Sequence, residues 1–243
     1  LPINVHGPLK GGVAYVDGSI SSQVLTGMLI ASPYANSDVT IHVKNLQSRP
    51  YIDITLEMMK SFGVNVANKG YDEFLVKSGQ RYQPKNYTVE GDWSGAAFLL
   101  VAGAVAGRSK VENLKISSTQ ADKAIINALN YAGAKVSVYD SYIEVNKHLL
   151  HAFDFDATHC PDLFPPLVAL ACHCEGESKI LGVSRLREKE SDRATTLIEE
   201  FGKIGVNVKV EGELMMIQGG TLKGGQVSSH GDHRIAMATA VAA

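Results

Sequence analysis

Phe62-Gly63-Val64-Asn65-Val66 returns as Ile204-Gly205-Val206-Asn207-Val208, and about halfway between them stands Ala132-Gly133-Ala134-Lys135-Val136. A pattern that recurs at a period of about seventy residues marks a chain built from copies of one supersecondary unit. Before each glycine runs an amphipathic stretch: Ile52, Leu56 and Met59; then Ala121, Ala124, Ile125, Ala128 and Leu129; then Ala194, Leu197, Ile198 and Phe201. Spacings of three and four put these side chains on one face of a helix, and the glycine supplies its stop. After each glycine two short stretches flank a turn: VNVANKG and YDEFLVKSG, AKVSVYD and SYIEVN, VNVKVEG and ELMMIQGG. These read as hairpins. Upstream, VAYVDG, SSQVLTGMLIASPYA and SDVTIHVKNL read as strand, apolar helix and strand.

The predicted unit is strand–helix–strand–helix–strand–strand. It covers residues 11–80, 83–147 and 151–220, and 224–243 open a fourth copy. Alternating strands and helices imply an α/β fold with parallel pairing and right-handed crossovers inside each unit. One doubly wound sheet is the alternative, but the hairpin that ends every copy favours separate blocks of similar build. Polar RYQPKNY, residues 81–87, is the expected linker.

The 243 residues are 45% hydrophobic and 20% charged, with a formal net charge of −2. That composition belongs to a globular protein with a small-molecule partner. It offers no broad basic field for nucleic acid, and no apolar run approaches a membrane span. A monomer is expected. Three cysteines without framework spacing fit a reducing compartment, and LPINVHGPLKGG lacks the charged start and apolar core of a signal peptide. A cytoplasmic location follows as an expectation. The missing initiator Met, and a stop inside the apolar AMATAVAA, read as two cut ends.

Aligning the copies puts a polar cluster at the start of each first helix: Ser21-Ser22-Gln23, Asp92-Trp93-Ser94, Pro161-Asp162 and Asp232-His233-Arg234. Helix capping accounts for one polar residue at each start. It leaves the second serine with its Gln, and the His-Arg pair, unexplained. Helix starts expose backbone N–H groups at the positive end of the dipole, so such clusters suit anions, and adjacent hydroxyls suit a phosphate. The second helices add Ser48-Arg49-Pro50-Tyr51 in the first copy and Arg187-Glu188-Lys189-Glu190-Ser191-Asp192-Arg193 in the third. A solvated helix start with local ion pairs is the plainer reading of that last run. Cys172-His173-Cys174, with His159 and Cys160, could suggest a metal, but residues two apart on a helix point to nearly opposite faces. No metal site is expected, and the cysteines read as core. Paired glycines at 11–12, 219–220 and 224–225 read as turns, and Met58-Met59 and Met215-Met216 as packing.

VDGSISSQVLTG, SRPYIDIT with its FGV ending, HCPDLFP, REKESDR and GDHRIAMA, in that order, resemble the enolpyruvylshikimate phosphate synthase family. The resemblance covers most of the chain, and the chain looks like an internal fragment of such a protein. It implies inside-out α/β barrel domains of the enolpyruvyl transferase kind, each of three similar units around a pseudo-threefold axis. The family's chain passes between domains near residues 87–92. Residues 1–88 would then be the last unit of one domain, and 89–243 two complete units and the start of a third in the other.

The implied reaction moves the enolpyruvyl group of phosphoenolpyruvate to the 5-hydroxyl of shikimate 3-phosphate, releasing phosphate, with no metal or organic cofactor. Carried over at matching positions, Ser21, Ser22 and Ser48 would bind the shikimate phosphate, and Gln23 and Tyr51 the substrates near the ring. Asp162 and Lys189 would bind shikimate hydroxyls, Asp162 as the catalytic proton acceptor. Glu190, Arg193 and Arg234 would line the phosphoenolpyruvate pocket with His233 nearby, Glu190 serving the carbon end. Arg185 stands where an Asn is expected, Glu188 interrupts the usual Arg-apolar-Lys-Glu order, and Gly231 replaces a frequent Asn. The family's opening Lys-Ser…Arg segment and a lysine near its C-terminus lie outside the chain, so the fragment alone is expected to be inactive. The sister enzyme acting on a UDP-sugar and a non-catalytic anion-binding module are the alternatives.

Overall fold

The computed structural model describes residues 2–19, 22–187 and 189–243, so Ser21 and Glu188 lie outside the described residues. The chain divides into two compact units, Leu1–Thr88 and Val89–Ala243.

In the first unit the order is β1 (Gly12–Asp17), α1 (Ser22–Ala31), β2 (Val39–Lys44), α2 (Arg49–Ser61), β3 (Val66–Lys69) and β4 (Glu73–Val76). The sheet runs β1-β2-β4-β3, with β1 and β2 parallel from Gly12 opposite Val39 to Asp17 opposite Lys44, and the other pairs antiparallel. Strand alternation is plain in β2, where Val39, Ile41 and Val43 are buried and form a core with Leu25, Leu29, Ile52, Met59 and Phe74.

The second unit contains α3 (Trp93–Ala106), β5 (Arg108–Glu112), α4 (Ile125–Tyr131), β6 (Lys135–Val138) and β7 (Tyr142–Asn146). It continues with β8 (Asp154–Asp156), α5 (Phe164–Ala171), β9 (Glu177–Leu181), α6 (Arg193–Lys203), β10 (Asn207–Glu211), β11 (Leu214–Gln218) and α7 (His233–Ala242). One sheet runs β10-β11-β9-β8 with β8 and β9 parallel, the same order as the first unit's sheet; the other runs β5-β7-β6. Helix α3 is largely apolar and mostly buried, and it packs with α5 and α7. Cys172 and Cys174 are buried there, their thiols donating to the Ala169 and Leu170 carbonyls. Among the described residues no helix is long and apolar enough to cross a membrane.

The three glycines that define the repeat end the second helices in the same way. Gly63, Gly133 and Gly205 adopt φ of 88°, 82° and 89°. The next amide then reaches back five residues, Val64 to the Met59 carbonyl, Ala134 to Leu129 and Val206 to Phe201. This is the Schellman stop, and it needs a left-handed residue that glycine takes without strain.

The second copy departs from expectation: residues 83–91 form no strand. Gln83 donates its amide to the Phe62 carbonyl and the Tyr87 ring packs 5.6 Å from that of Phe62. The chain is thus held to the first unit almost to Thr88, leaving too few residues to pair with β5. The bond from Gly91 to the Asn113 carbonyl survives, the counterpart of Gly18 to Lys44 after β1 and Ala157 to Leu181 after β8.

Candidate active site

Parallel pairing decides which residues can meet. Segments leaving the same ends of two parallel neighbours start side by side, so each first-helix start lies near the second-helix start of its copy. In the first unit these are the starts of α1 and α2. Ser22 is the first residue of α1 and half-buried, with Gln23 exposed beside it. Ser48 caps α2 from a left-handed backbone (φ 53°) and is buried, and Tyr51 is half-buried one turn on. A non-glycine residue held there costs about 1 kcal/mol or more, a strain that tends to sit at functional positions. One turn deeper, the Thr26 and Thr55 hydroxyls meet at 3.1 Å and tie α1 to α2.

In the second unit the same rule brings the 3-10 turn Pro161–Leu163, after β8, beside the bend that precedes α6, after β9. Asp162 does not cap α5, contrary to its place in the repeat. The N-cap of α5 is Leu163 and that of the 3-10 turn is Cys160, neither with a side-chain bond, whereas Asp92 and Asp232 do cap α3 and α7. The Asp162 carboxylate faces three cations instead: Arg193 Nη1 at 2.8 Å, Lys189 Nζ at 3.3 Å and Arg234 Nη2 at 3.4 Å. Burial pushes its pKa up, but the charges of Arg234, Lys189 and Arg193 outweigh burial and hold it below the ordinary carboxylate value.

Helix α6 begins at Arg193, capped by Asp192, so Lys189 and Glu190 stand before the helix. The Arg193 side chain is 1% exposed and its fork is filled: Nε and Nη2 donate to Asp232 at 2.8 and 3.3 Å, Nη2 to Glu190 at 2.6 Å and Nη1 to Asp162. Asp232 also accepts the Ser191 hydroxyl and the Arg234 amide. Arg234 is the contrasting cation. Its buried Nη1 has no hydrogen-bond partner among the described residues, so its donor capacity is unspent. His233 is exposed as the first residue of α7. Gly231 adopts φ 75°, a conformation that Asn also tolerates, so its departure from the family pattern keeps the backbone.

One group in this cluster escapes sequence reasoning. Asp122, in the 3-10 turn Ala121–Ala124 at the second-helix start of the middle copy, is 3% exposed and accepts the Ser94 hydroxyl. Burial is the chief cause of a pKa pushed up to about 6, with the charge of Asp162 adding to it and that of Arg234 opposing. Counting back from the glycine stops puts it opposite Ile52 and Ala194, so the repeat does not mark it.

Comparisons with known proteins bear on the family and the fold. The family model for EPSP synthase (3-phosphoshikimate 1-carboxyvinyltransferase) matches residues 1–243. A 3-phosphoshikimate 1-carboxyvinyltransferase of Clostridium novyi is 41% identical over 244 residues, covering 100% of this chain and 56% of that protein. One from Clostridium acetobutylicum is 40% identical over 245 residues, covering 100% and 57%. Among solved structures, an EPSP synthase from Acinetobacter baumannii superposes with a TM-score of 0.78 at 27% identity, over 96% of this chain and 56% of that one. The chain spans about half the length of the curated relatives it matches. Repeat, fold and matched family agree over the whole chain: it belongs to the EPSP synthase family.

Proposed function

We propose that the protein carrying this chain transfers the enolpyruvyl group of phosphoenolpyruvate to the 5-hydroxyl of shikimate 3-phosphate, releasing phosphate. The observation that carries the reading is the cluster around Asp162, in which Lys189, Arg193 and Arg234 surround one carboxylate and Arg234 keeps a buried donor unspent. A buried guanidinium with open N–H groups favours a planar anion, a carboxylate or phosphate, over water.

In this reading Ser21, Ser22 and Ser48 hold the sugar phosphate, with Gln23 and Tyr51 against the ring. Arg234, with His233 beside it, takes the phosphoenolpyruvate anion. Arg193 reaches that anion only as Glu190, its exposed partner at 2.6 Å, gives way. Asp162 starts ionised, the state a proton acceptor needs, and Lys189 orients the hydroxyl it shares with Asp162. As the substrate anion draws Arg234 and Lys189 from Asp162, the pKa of that carboxyl rises and proton transfer to it becomes easier. Glu190 serves the methylene carbon. That carbon gains a proton, the 5-hydroxyl oxygen bonds to the neighbouring cationic carbon while its proton passes to Asp162, and the adduct then loses a methyl proton and phosphate. Charge develops on substrate oxygens throughout, and the fixed cations stabilise it without reorganising.

The test is phosphate release from the two substrates by the protein expressed from its full reading frame. Asp162→Asn should lower kcat by roughly 10²–10⁴ while the protein still folds and binds shikimate 3-phosphate. An absence of phosphate release in the parent overturns the function, and an Asp162→Asn rate within about tenfold of the parent overturns the role of Asp162.

A further inference from the structure

Helix α6 carries a second buried charge that the proposed chemistry does not use. Glu200 lies about two turns beyond Arg193 and is fully buried. Its carboxylate collects three donors: Lys203 Nζ at 2.7 Å and His230 Nε2 at 2.6 Å on Oε1, and the Ser228 amide at 2.7 Å on Oε2. Burial pushes its pKa up, and the bonds from Lys203, Ser228 and His230 overcome burial and bring it down to about 2. These donors hold the group in its ionised form.

Two of the three donors belong to the turn that leads into α7. His230 and Gly231 both have left-handed backbones, with φ of 52° and 75°. The Asp232 amide closes on the Ser229 carbonyl at 2.9 Å, and the His230 amide on the Ser228 hydroxyl at 3.3 Å. The far end of this turn is Asp232, whose carboxylate holds Arg193. Helix α6 therefore grips the turn 228–232 twice, through Arg193 at its end and through Glu200 at its beginning. The next residues along the chain are His233 and Arg234.

The same side chains invite a different reading, because ligand atoms of Glu199, Glu200 and His230 lie within 4.8 Å of one another, as a divalent cation would require. The Lys203 ammonium already stands there, 2.7 Å from Glu200 and 3.2 Å from Glu199. An ammonium between two carboxylates supplies the positive charge that a metal would bring, so the cluster is a closed fastening.

We propose that Glu200 is a positioning residue: it fixes the turn 228–232 against α6 and thereby sets where Arg234 presents its guanidinium to an anionic substrate. The identity of that anion, phosphoenolpyruvate, rests on the function proposed above. The fastening itself does not.

In the protein from the full reading frame, Glu200→Gln keeps the volume and an acceptor for Ser228 but removes the charge that holds His230 and Lys203. The KM for phosphoenolpyruvate should rise about tenfold while that for shikimate 3-phosphate stays within about twofold. His230→Asn tolerates the left-handed backbone at a half-exposed position and should shift the same constant the same way, by about threefold. If Glu200 acts through Arg234 the two are coupled, so Glu200→Gln made in an Arg234→Lys background should add less than about twofold. Loss of melting temperature with both KM values unchanged in both single variants would overturn the proposal, as would full additivity with Arg234→Lys. Should the parent release no phosphate, the function has failed and hydrogen exchange reads the fastening alone. The Ser228 amide should then exchange at least about tenfold faster in Glu200→Ala, with the amides of residues 207–218 unchanged, and an unaltered Ser228 rate would overturn it.

Discussion

Replacing Asp122 by Asn tests the electrostatics of the cluster without any assay of function. The carboxyl is 3% exposed, is bonded by Ser94 and has a pKa raised from 3.8 to about 6, chiefly by burial. Raising the pKa of an acid on folding means that the folded chain keeps a proton the unfolded chain has lost. Between about pH 4 and pH 6 the folded state therefore binds more protons, stability falls as pH rises, and the whole penalty stands above pH 6. A shift of about two units corresponds to about 3 kcal/mol. Asn does not titrate. The unfolding free energy of Asp122→Asn relative to the parent should climb by about 1.4 kcal/mol per pH unit through that window and then level off. Any constant offset from exchanging a carboxylate for an amide cancels in the slope. Urea titrations at several pH values, followed by the fluorescence of Trp93, the single tryptophan, report on the right unit, since the Trp93 amide bonds to Gln120 two residues before Asp122. A difference that is flat with pH, or that falls as pH rises, refutes the placement of a buried, ionisable Asp122 in this fold.

Two further outcomes follow from burial and pairing. Asp92 and Asp232 both cap helices, but Asp92→Ala should cost about 1 kcal/mol, the value of a cap, whereas Asp232→Ala leaves the Arg193 guanidinium buried without its main partner and should cost about 3–5 kcal/mol. Chemical denaturation of the two variants checks the difference, and equal losses would contradict it. Burial pushes the thiols of Cys172 and Cys174 up to about 12 and raises that of Cys160, so iodoacetamide should label none of the three in the folded protein and all three in urea; rapid native labelling of Cys172 or Cys174 would contradict their core placement.

The repeat was legible because it rests on backbone chemistry that few residues can supply. A glycine at a fixed distance after an amphipathic helix is nearly a direct record of a left-handed stop, and all three occurrences proved to be that. The absent strand of the middle copy was not legible. Tyr87, Thr88 and Val89 have strand-forming side chains, and only the tertiary contacts of Gln83 and Tyr87 with Phe62 show that the segment is already engaged. Asp162 stands at a helix start, as the repeat placed it, but it is not a cap. An aspartate between a strand and a helix reads as a cap, and a sequence does not reveal that a 3-10 turn intervenes and that the carboxylate turns to Arg193. Asp122 was hidden by its neighbours, since Ala121 and Ala124 made its segment read as the apolar face of a helix and nothing marked the carboxyl as buried.

These corrections converge on one feature of the scaffold. In the middle copy the first-helix start touches the second-helix start through Ser94 and Asp122, and in the third copy through Asp162 and Arg193. In the first copy α1 and α2 meet one turn deeper, through Thr26 and Thr55. In the first and third copies parallel strands deliver both helices from the same edge. In the middle copy, which lacks the first strand, the bond from Gly91 to the Asn113 carbonyl keeps the two segments side by side. What differs is how much hydrogen-bonding capacity remains. Ser94 and Asp122 engage each other, and Arg193 spends its fork on three carboxylates. Arg234, in the first turn of α7, stands with its Nη2 3.4 Å from Asp162. Its buried Nη1 has no hydrogen-bond partner among the described residues, so capacity for an anion is concentrated at the start of α7.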